Sequence, residues 1–221
     1  MPLSEVFNED CMIGMDRYPD KHFDLAIVDP PYGIGASDYK RGGTQHGNSA
    51  AVCKIYAKKE WDKNSPEDSY FIELQMVSKN QIIWGANNFG LPPSTCWIVW
   101  DKMTAPGSGY ADCELAWGSF DKAVRQIRLQ WSGMLQPDMK NKENRIHPTQ
   151  KPVKLYKWLL SNYAEPGNKI LDTHLGSGSS RIAAYDYGFD FTGFELDKEY
   201  FEAQELRFKR HKAQLNLFAN G

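Results

Sequence analysis

The fold class follows from residues 169–195, which read KILDTHLGSGSSRIAAYDYGFDFTGFE. Residues 169–172 have the pattern of a short strand, and a glycine-rich turn follows them. Helical spacing then covers 179–187, and a second strand pattern covers 189–195. A strand, a helix and a strand in this order predict a right-handed crossover between two parallel strands. The sequence therefore predicts an α/β fold.

The glycine-rich turn has the features of a nucleoside site. Gly176 and Gly178 allow the backbone to approach a ligand closely, and a helix starting at Ser179 offers free backbone N–H groups. Position 181 is Arg, so the third glycine of a dinucleotide motif is missing. Glu195, 17 residues after Gly178, can accept hydrogen bonds from both ribose hydroxyls. A ribose without a pyrophosphate fits S-adenosylmethionine better than NAD, and a tight turn without any ligand is the alternative.

The rest of the chain continues the alternation of strands and helices. Apolar runs predict buried strands at 23–29, 81–84, 96–100 and, more briefly, 114–117. Helical spacing covers 70–78, 153–164 and a last segment from 197 onward. We expect a doubly wound, mostly parallel sheet in one domain spanning 1–221, with irregular segments at about 33–65 and 103–150.

A second motif, Asp29-Pro30-Pro31-Tyr32, follows the strand at 23–29. The prolines stiffen the backbone, and the Pro30 carbonyl and the Asp29 carboxylate can accept the two protons of an exocyclic amine. The ring of Tyr32 can stack on a planar base. Such hydrogen bonds leave the nitrogen lone pair free to attack an electrophilic methyl group, so catalysis rests on positioning and electrostatics. A proline-stiffened turn without a catalytic role is the alternative.

The two motifs together resemble the β class of S-adenosylmethionine-dependent DNA amino-methyltransferases, in which the catalytic motif precedes the cofactor motif. The resemblance implies a Rossmann-like methyltransferase fold with a circularly permuted motif order. It also implies that Asp10, in Asn8-Glu9-Asp10-Cys11, contacts the adenine of the cofactor. Thr149 and Lys151, in His147-Pro-Thr-Gln-Lys-Pro152, would lie near its amino-acid end.

The chain departs from the family in its cofactor motif. Asp172 is followed by Thr173-His174-Leu175, where the family often has Pro-Phe. Losing the Phe removes one aromatic face beside the cofactor, and we expect Leu175 to pack there instead. Asp172 is included among the expected cofactor residues, whereas His174 is expected to be a satisfied loop histidine.

The resemblance also suggests the target. In this family D-P-P-Y usually accompanies adenine N6, whereas S-P-P-Y leans to cytosine N4, so adenine N6 is expected first and cytosine N4 second. The amine is shielded inside a duplex, so the base must be flipped out at a cost of a few kcal/mol. A methyltransferase acting on RNA or on a protein amide, and a DNA-binding module without activity, remain as alternatives.

Charge is unevenly distributed along the chain. The 221 residues carry a formal net charge of −2, which taken alone argues against nucleic acid. Residues 121–157, however, contain nine basic and three acidic side chains, and residues 36–63 contain six and three. Duplex DNA requires such local positive charge. We expect DNA contacts from Lys40, Arg41, Arg125, Arg128, Lys140, Lys142 and Arg145. With little length left for a separate DNA-reading domain, a homodimer sharing the DNA is a further expectation.

Composition excludes several classes of protein. The four cysteines form no C-x-x-C pair, so we expect reduced thiols and no metal site. The chain contains no apolar run near 18 residues and no basic, apolar leader at its start. We therefore expect a cytoplasmic protein. The resemblance implies a bacterium or its phage as the source, and whether a restriction partner exists is left open.

Overall fold

The computed structural model describes residues 2–35, 59–104, 111–131 and 135–219. In this part of the chain the strands are β1 (Ser4–Phe7), β2 (Phe23–Val28), β3 (Ser78–Trp84), β4 (Cys96–Asp101), β5 (Cys113–Gly118), β6 (Arg125–Arg128), β7 (Lys169–Asp172) and β8 (Asp190–Phe194). The α-helices are α1 (Cys11–Met15), α2 (Asp68–Val77), α3 (Val153–Tyr163), α4 (Ser179–Asp186) and α5 (Lys198–Ala219), and Ala86–Asn88 forms one 3₁₀ turn.

These strands form one sheet in the order β1-β8-β7-β2-β3-β5-β4-β6. Strand β5 runs antiparallel to both of its neighbours, β3 and β4, and the other pairings are parallel. From β2 the chain continues to β3 on one side, whereas β7 continues to β8 on the other side. The strand order therefore reverses between the neighbouring strands β2 and β7, where open α/β sheets bind their ligands. The predicted doubly wound, mostly parallel α/β fold is confirmed.

Strand β2 lies in the middle of the sheet and is buried on both faces. Leu25 and Ile27 pack in the core cluster that includes Leu155 of α3, whereas Ala26 and Val28 pack in the cluster that includes Leu74 of α2. Burial on two faces explains why this segment is a continuous apolar run without polar alternation. Its carboxyl end is a rigid platform for the residues that follow it.

Three elements were not predicted. The edge strand β1 is only partly buried, and α1 has five residues, so neither has a strong apolar period. Strand β6 lies inside 103–150, which was expected to be irregular, and three of its four residues are exposed. It pairs in parallel with β4 through backbone hydrogen bonds, and these do not require any particular type of side chain. No helix among the described residues is both long enough and apolar enough to span a membrane.

Candidate active site

A cavity of about 390 Å³ opens at the carboxyl ends of the strands beside the point where the strand order reverses. Eight predicted site residues line it: Asp10, Asp29, Pro31, Thr149, Lys151, Leu175, Gly176 and Glu195. Five others, Pro30, Tyr32, Asp172, Gly178 and Ser179, lie next to it without lining it. Residues from both motifs and from the segments around Asp10 and Thr149 therefore meet at one cavity.

Glu195, immediately after β8, links the turn to the cavity wall. One carboxylate oxygen accepts the Gly176 N–H at 2.7 Å, and the other accepts the Asp197 N–H at 2.8 Å. Burial raises the pKa of Glu195, although these two hydrogen bonds partly offset that effect. The carboxylate is therefore fixed in orientation at the cavity surface.

Asp172 stabilises the glycine-rich turn from its buried side. Its carboxylate accepts hydrogen bonds from Ser180 Oγ at 2.5 Å and from the His174 N–H at 3.0 Å. Burial raises its pKa to about 7. These contacts hold the turn in shape, and no part of Asp172 reaches the cavity surface.

Asp29, directly after β2, has both carboxylate oxygens occupied. The Tyr32 hydroxyl donates to Oδ1 at 2.7 Å, and the Lys151 Nζ lies 2.5 Å from Oδ2. Lys151 Nζ also donates to the Tyr32 hydroxyl at 3.2 Å. Burial, followed by the charges of Asp29 and Glu114, raises the pKa of Tyr32 well above its ordinary value, so the phenol keeps its proton. Lys151 was expected near the cofactor's amino-acid end, and the structure places it both at the cavity and on Asp29.

The Tyr32 ring is packed into the turn that follows β3. A Cβ atom at Gly85, whose φ is +68°, would lie 2.0 Å from this ring, so only glycine allows the contact. The Phe89 ring meets it edge-on at a centroid distance of 6.1 Å. The backbone N–H groups of Tyr32 and Gly33 donate to Asp62 Oδ1 at 2.6 and 3.0 Å. Asp62 therefore caps the Asp29–Tyr32 turn, a role that its sequence neighbourhood did not indicate.

Glu114 and Lys102 extend the charged cluster around Lys151. Glu114 on β5 lies 3.2 Å from Lys151 Nζ and 2.5 Å from Lys102 Nζ. Burial would raise the pKa of Glu114, but the two ammonium groups outweigh it and lower that pKa to about 2. Sequence reasoning missed both residues, because the contact depends on β5 lying two strands away from β2.

An aromatic wall closes another side of the cavity and was also missed. The His147 ring lies 5.0 Å from the Trp61 ring and 4.3 Å from the Tyr200 ring. Burial lowers the pKa of His147 to about 3, so the ring is neutral. His174 is likewise neutral, because burial lowers its pKa to about 4, and its Nδ1 meets Thr173 Oγ1 at 2.9 Å.

The predicted DNA-contacting residues occupy different environments. Arg125, Arg128, Lys140 and Lys142 are exposed, and Arg128 pairs with Asp101 at 2.9 Å. The Arg145 guanidinium lies 4.7 Å above the Trp131 ring and is half-buried. Lys40 and Arg41 lie outside the described residues. Among the described residues, no three His, Cys, Asp or Glu side chains are placed to hold a metal ion.

A family model described as DNA methylase matches residues 72–206, more than half of the chain. The protein belongs to the DNA methylase family. The match confirms the resemblance to DNA amino-methyltransferases inferred from the two motifs, and it includes the turn at Gly176 and Glu195.

Individual relatives agree with this family. The chain is 25% identical over 248 residues to the type II methyltransferase M2.MboI of Moraxella bovis, covering 92% of this chain and 86% of that protein. The M1.HpyAVI structure in complex with SAM aligns over 92% of this chain and 98% of its own with a TM-score of 0.56 and 19% identity. The cytosine-N4-specific PvuII DNA methyltransferase aligns over 100% and 94% with a TM-score of 0.58 and 15% identity. These two structures support the fold.

Proposed function

We propose that this DNA methylase transfers a methyl group from S-adenosylmethionine to adenine N6 in duplex DNA, with cytosine N4 as the second candidate. One observation carries the proposal. The Asp29 carboxylate, an acceptor for an exocyclic amine, opens into the same cavity as the carboxylate of Glu195 and the turn at Gly176. Methyl transfer to a base requires an acceptor for the target amine and a nucleoside-binding site for the cofactor in the same cavity.

The residues of the cavity fit the cofactor. Glu195 would accept hydrogen bonds from the ribose hydroxyls, and Asp10 would accept the adenine amine. Leu175 offers an apolar surface, as do the neutral rings of the aromatic wall. Lys151 and Thr149 supply an ammonium and a hydroxyl for a carboxylate at the amino-acid end. When bound, S-adenosylmethionine supplies an electrophilic methyl group.

Asp29 would orient the target amine. Its carboxylate and the Pro30 carbonyl accept the two N–H groups, so the nitrogen lone pair points along the line of attack. Because the Tyr32 hydroxyl is bonded to Asp29 and its ring packs against Gly85, stacking of the base on Tyr32 requires this side chain to turn. The target base would have to be flipped out of the duplex to reach Asp29.

The choice of adenine over cytosine rests on the Asp at the first position of Asp29–Tyr32. Cytosine N4 stays as the second candidate because the PvuII enzyme, with the same fold, is specific for it. Digestion of the methylated DNA to nucleosides separates the two products by mass. N4-methylcytosine as the product would overturn the adenine assignment and leave the rest of the proposal intact.

The test of the activity is methyl transfer from labelled S-adenosylmethionine into duplex DNA by the Asp29→Ala variant. Transfer should fall by at least about 1,000-fold, because the amine loses its charged acceptor, whereas the Kd of the cofactor should change less than about threefold. Asp24→Ala, which removes a carboxylate at the opposite, amino-terminal end of the same strand, serves as the control. Full transfer by Asp29→Ala would refute the assigned role.

A further inference from the structure

Lys151 occupies the position on Asp29 that the proposed target amine needs. Its Nζ lies 2.5 Å from Asp29 Oδ2, and the other oxygen, Oδ1, accepts the Tyr32 hydroxyl. Both an ammonium and an exocyclic amine approach a carboxylate as N–H donors, so they compete for the same acceptor. A carboxylate can accept more than two hydrogen bonds, but an ammonium 2.5 Å away takes one lone pair of Oδ2 and offsets the charge of Asp29. The target amine therefore finds its strongest acceptor when Lys151 moves away from Asp29.

Glu114 offers Lys151 an alternative acceptor. Its Oε1 is 2.5 Å from Lys102 Nζ, whereas its buried Oε2 accepts no hydrogen bond within the described part of the chain. That oxygen lies 3.2 Å from Lys151 Nζ, in an ion pair longer than the 2.5 Å contact of the same ammonium with Asp29. A small movement of Lys151 towards Glu114 shortens this ion pair, so the buried Glu114 carboxylate gains a charge-assisted hydrogen bond when the ammonium leaves Asp29.

We propose that Glu114 is a positioning residue for the methyl transfer: it accepts the Lys151 ammonium when the target base enters, so that Asp29 becomes free to bind the amine. The inference rests on the proposed function. Asp29, Glu114, Lys151 and Lys102 carry two charges of each sign, so the ammonium moves between two carboxylates inside a neutral cluster. Without Glu114, Asp29 is the one carboxylate left to Lys151 among the described side chains, so the ammonium stays on Asp29 more of the time and competes with the amine.

The surroundings of Lys151 make this movement sensitive to pH in a variant. The groups facing it are Asp29 and Tyr32 after β2, Glu114 on β5 with Lys102 behind it, and His147 in its own segment. Burial lowers the pKa of Lys151, but Asp29 and then Glu114 outweigh it and keep that pKa above its ordinary value. Removing the charge of Glu114 lowers the pKa of Lys151. Once the Lys151 side chain is deprotonated, it competes less with the target amine for Asp29.

The experiment compares Glu114→Gln with the wild type in duplex DNA methylation between pH 8 and pH 10. We expect kcat/KM for DNA to fall roughly 30-fold at pH 8, within the range of coupling in one salt-bridge network, with the cofactor Kd changed less than about threefold. The deficit should shrink at least about threefold by pH 10, because deprotonated Lys151 releases Asp29. Glu205→Gln, which removes the partner of Arg181, is the matched control and should follow the wild-type profile.

A double variant separates positioning from a structural role. Glu114→Gln/Lys151→Met removes both the receiving carboxylate and the competing ammonium, so its kcat at saturating S-adenosylmethionine should exceed that of Glu114→Gln. The cofactor Kd of the double variant should rise, because Lys151 also faces the amino-acid end of the cofactor. Wild-type activity in Glu114→Gln would overturn the inference, and so would a deficit that neither pH nor the second substitution reduces. Absence of methyl transfer to DNA by the wild type would instead overturn the proposed function, and this inference with it.

Discussion

Gly178 shows how one residue supports both the fold and the cofactor turn. Its φ is +70°, and a Cβ atom there would lie 3.1 Å from Gln204 Oε1 and 3.2 Å from Gln204 Cβ of α5. Gly188 has a similar φ of +78°, but nothing lies within 4 Å of its Cβ position. Both positions therefore need a residue that tolerates a positive φ, but only at Gly178 does a neighbouring side chain, Gln204, also leave little room for a Cβ atom.

Substituting both glycines tests this difference. Gly178→Ala and Gly188→Ala should each lower the free energy of unfolding by about 1 kcal/mol, because L residues are strained at such φ values. Gly178→Ala alone should also raise the Kd of S-adenosylmethionine roughly tenfold, because Gln204 has to move and the turn shifts with it. Urea unfolding measures the first effect and calorimetry the second. An equal loss of cofactor affinity in both variants would contradict this account.

Single residues also show where sequence reasoning stops. The pattern around Gly176 and Glu195 indicates a nucleoside site, and the structure brings both residues to the cavity. The same pattern places Asp172 beside the ligand, whereas its carboxylate is turned back onto Ser180. Side-chain direction depends on which neighbouring group supplies a donor, and the order of residues along the chain does not encode that.

Among the elements, α5 stabilises the site from behind through Arg207. Its guanidinium donates to the Ser177 carbonyl at 2.7 Å, to Ser179 Oγ at 2.9 Å and to Glu143 Oε2 at 2.8 Å. The other oxygen of Glu143 accepts the Val153 N–H, at the first turn of α3. One arginine therefore connects α5, the glycine-rich turn and the start of α3.

Arg207→Gln should destabilise the protein and disturb the cofactor site together. It leaves the Glu143 carboxylate without its cation in a largely buried position, so we expect a loss of about 2 kcal/mol in the free energy of unfolding. The cofactor Kd should rise about tenfold as the turn loosens. Arg210→Gln, at an exposed position of the same helix, should change the unfolding free energy by less than about 0.5 kcal/mol. A normal cofactor Kd in Arg207→Gln would show that the turn holds its shape without α5.

Elements differ in how far the sequence determines them. The unit β7, α4 and β8 was predicted to within about two residues at each end, because its strands and helix are strongly buried and joined by short turns. Strand β6 was missed because exposed polar residues in backbone pairing have no period-two pattern. Glu114 was recognised only as part of a short strand, since its partner Lys151 is 37 positions away in sequence.

At the scale of the whole molecule, buried titratable groups around the cavity connect stability with pH. Burial lowers the pKa of His147 to about 3 and that of His174 to about 4, against an ordinary 6.5. Between pH 4 and 6.5 the unfolded chain therefore binds two protons that the folded protein does not, so both histidines destabilise the fold as the pH falls. Burial raises the pKa of Asp172 to about 7, against 3.8, and this group acts in the opposite direction over that range.

Two substitutions should therefore change the pH dependence of stability in opposite directions. Relative to the wild type, the loss in unfolding free energy from pH 7 to pH 5 should shrink by about 2 kcal/mol in His147→Gln, because the unfolded chain gains one proton fewer. In Asp172→Asn it should grow by about 2 kcal/mol, because the folded protein no longer gains one. Urea unfolding without cofactor at pH 7 and pH 5 measures both effects. The difference between the two pH values is taken within each protein, so a general loss of stability in a variant cancels. The same pH dependence in all three proteins would mean that these side chains are open to water in the folded state, which is incompatible with a closed cavity wall at His147 and a dry turn behind Asp172.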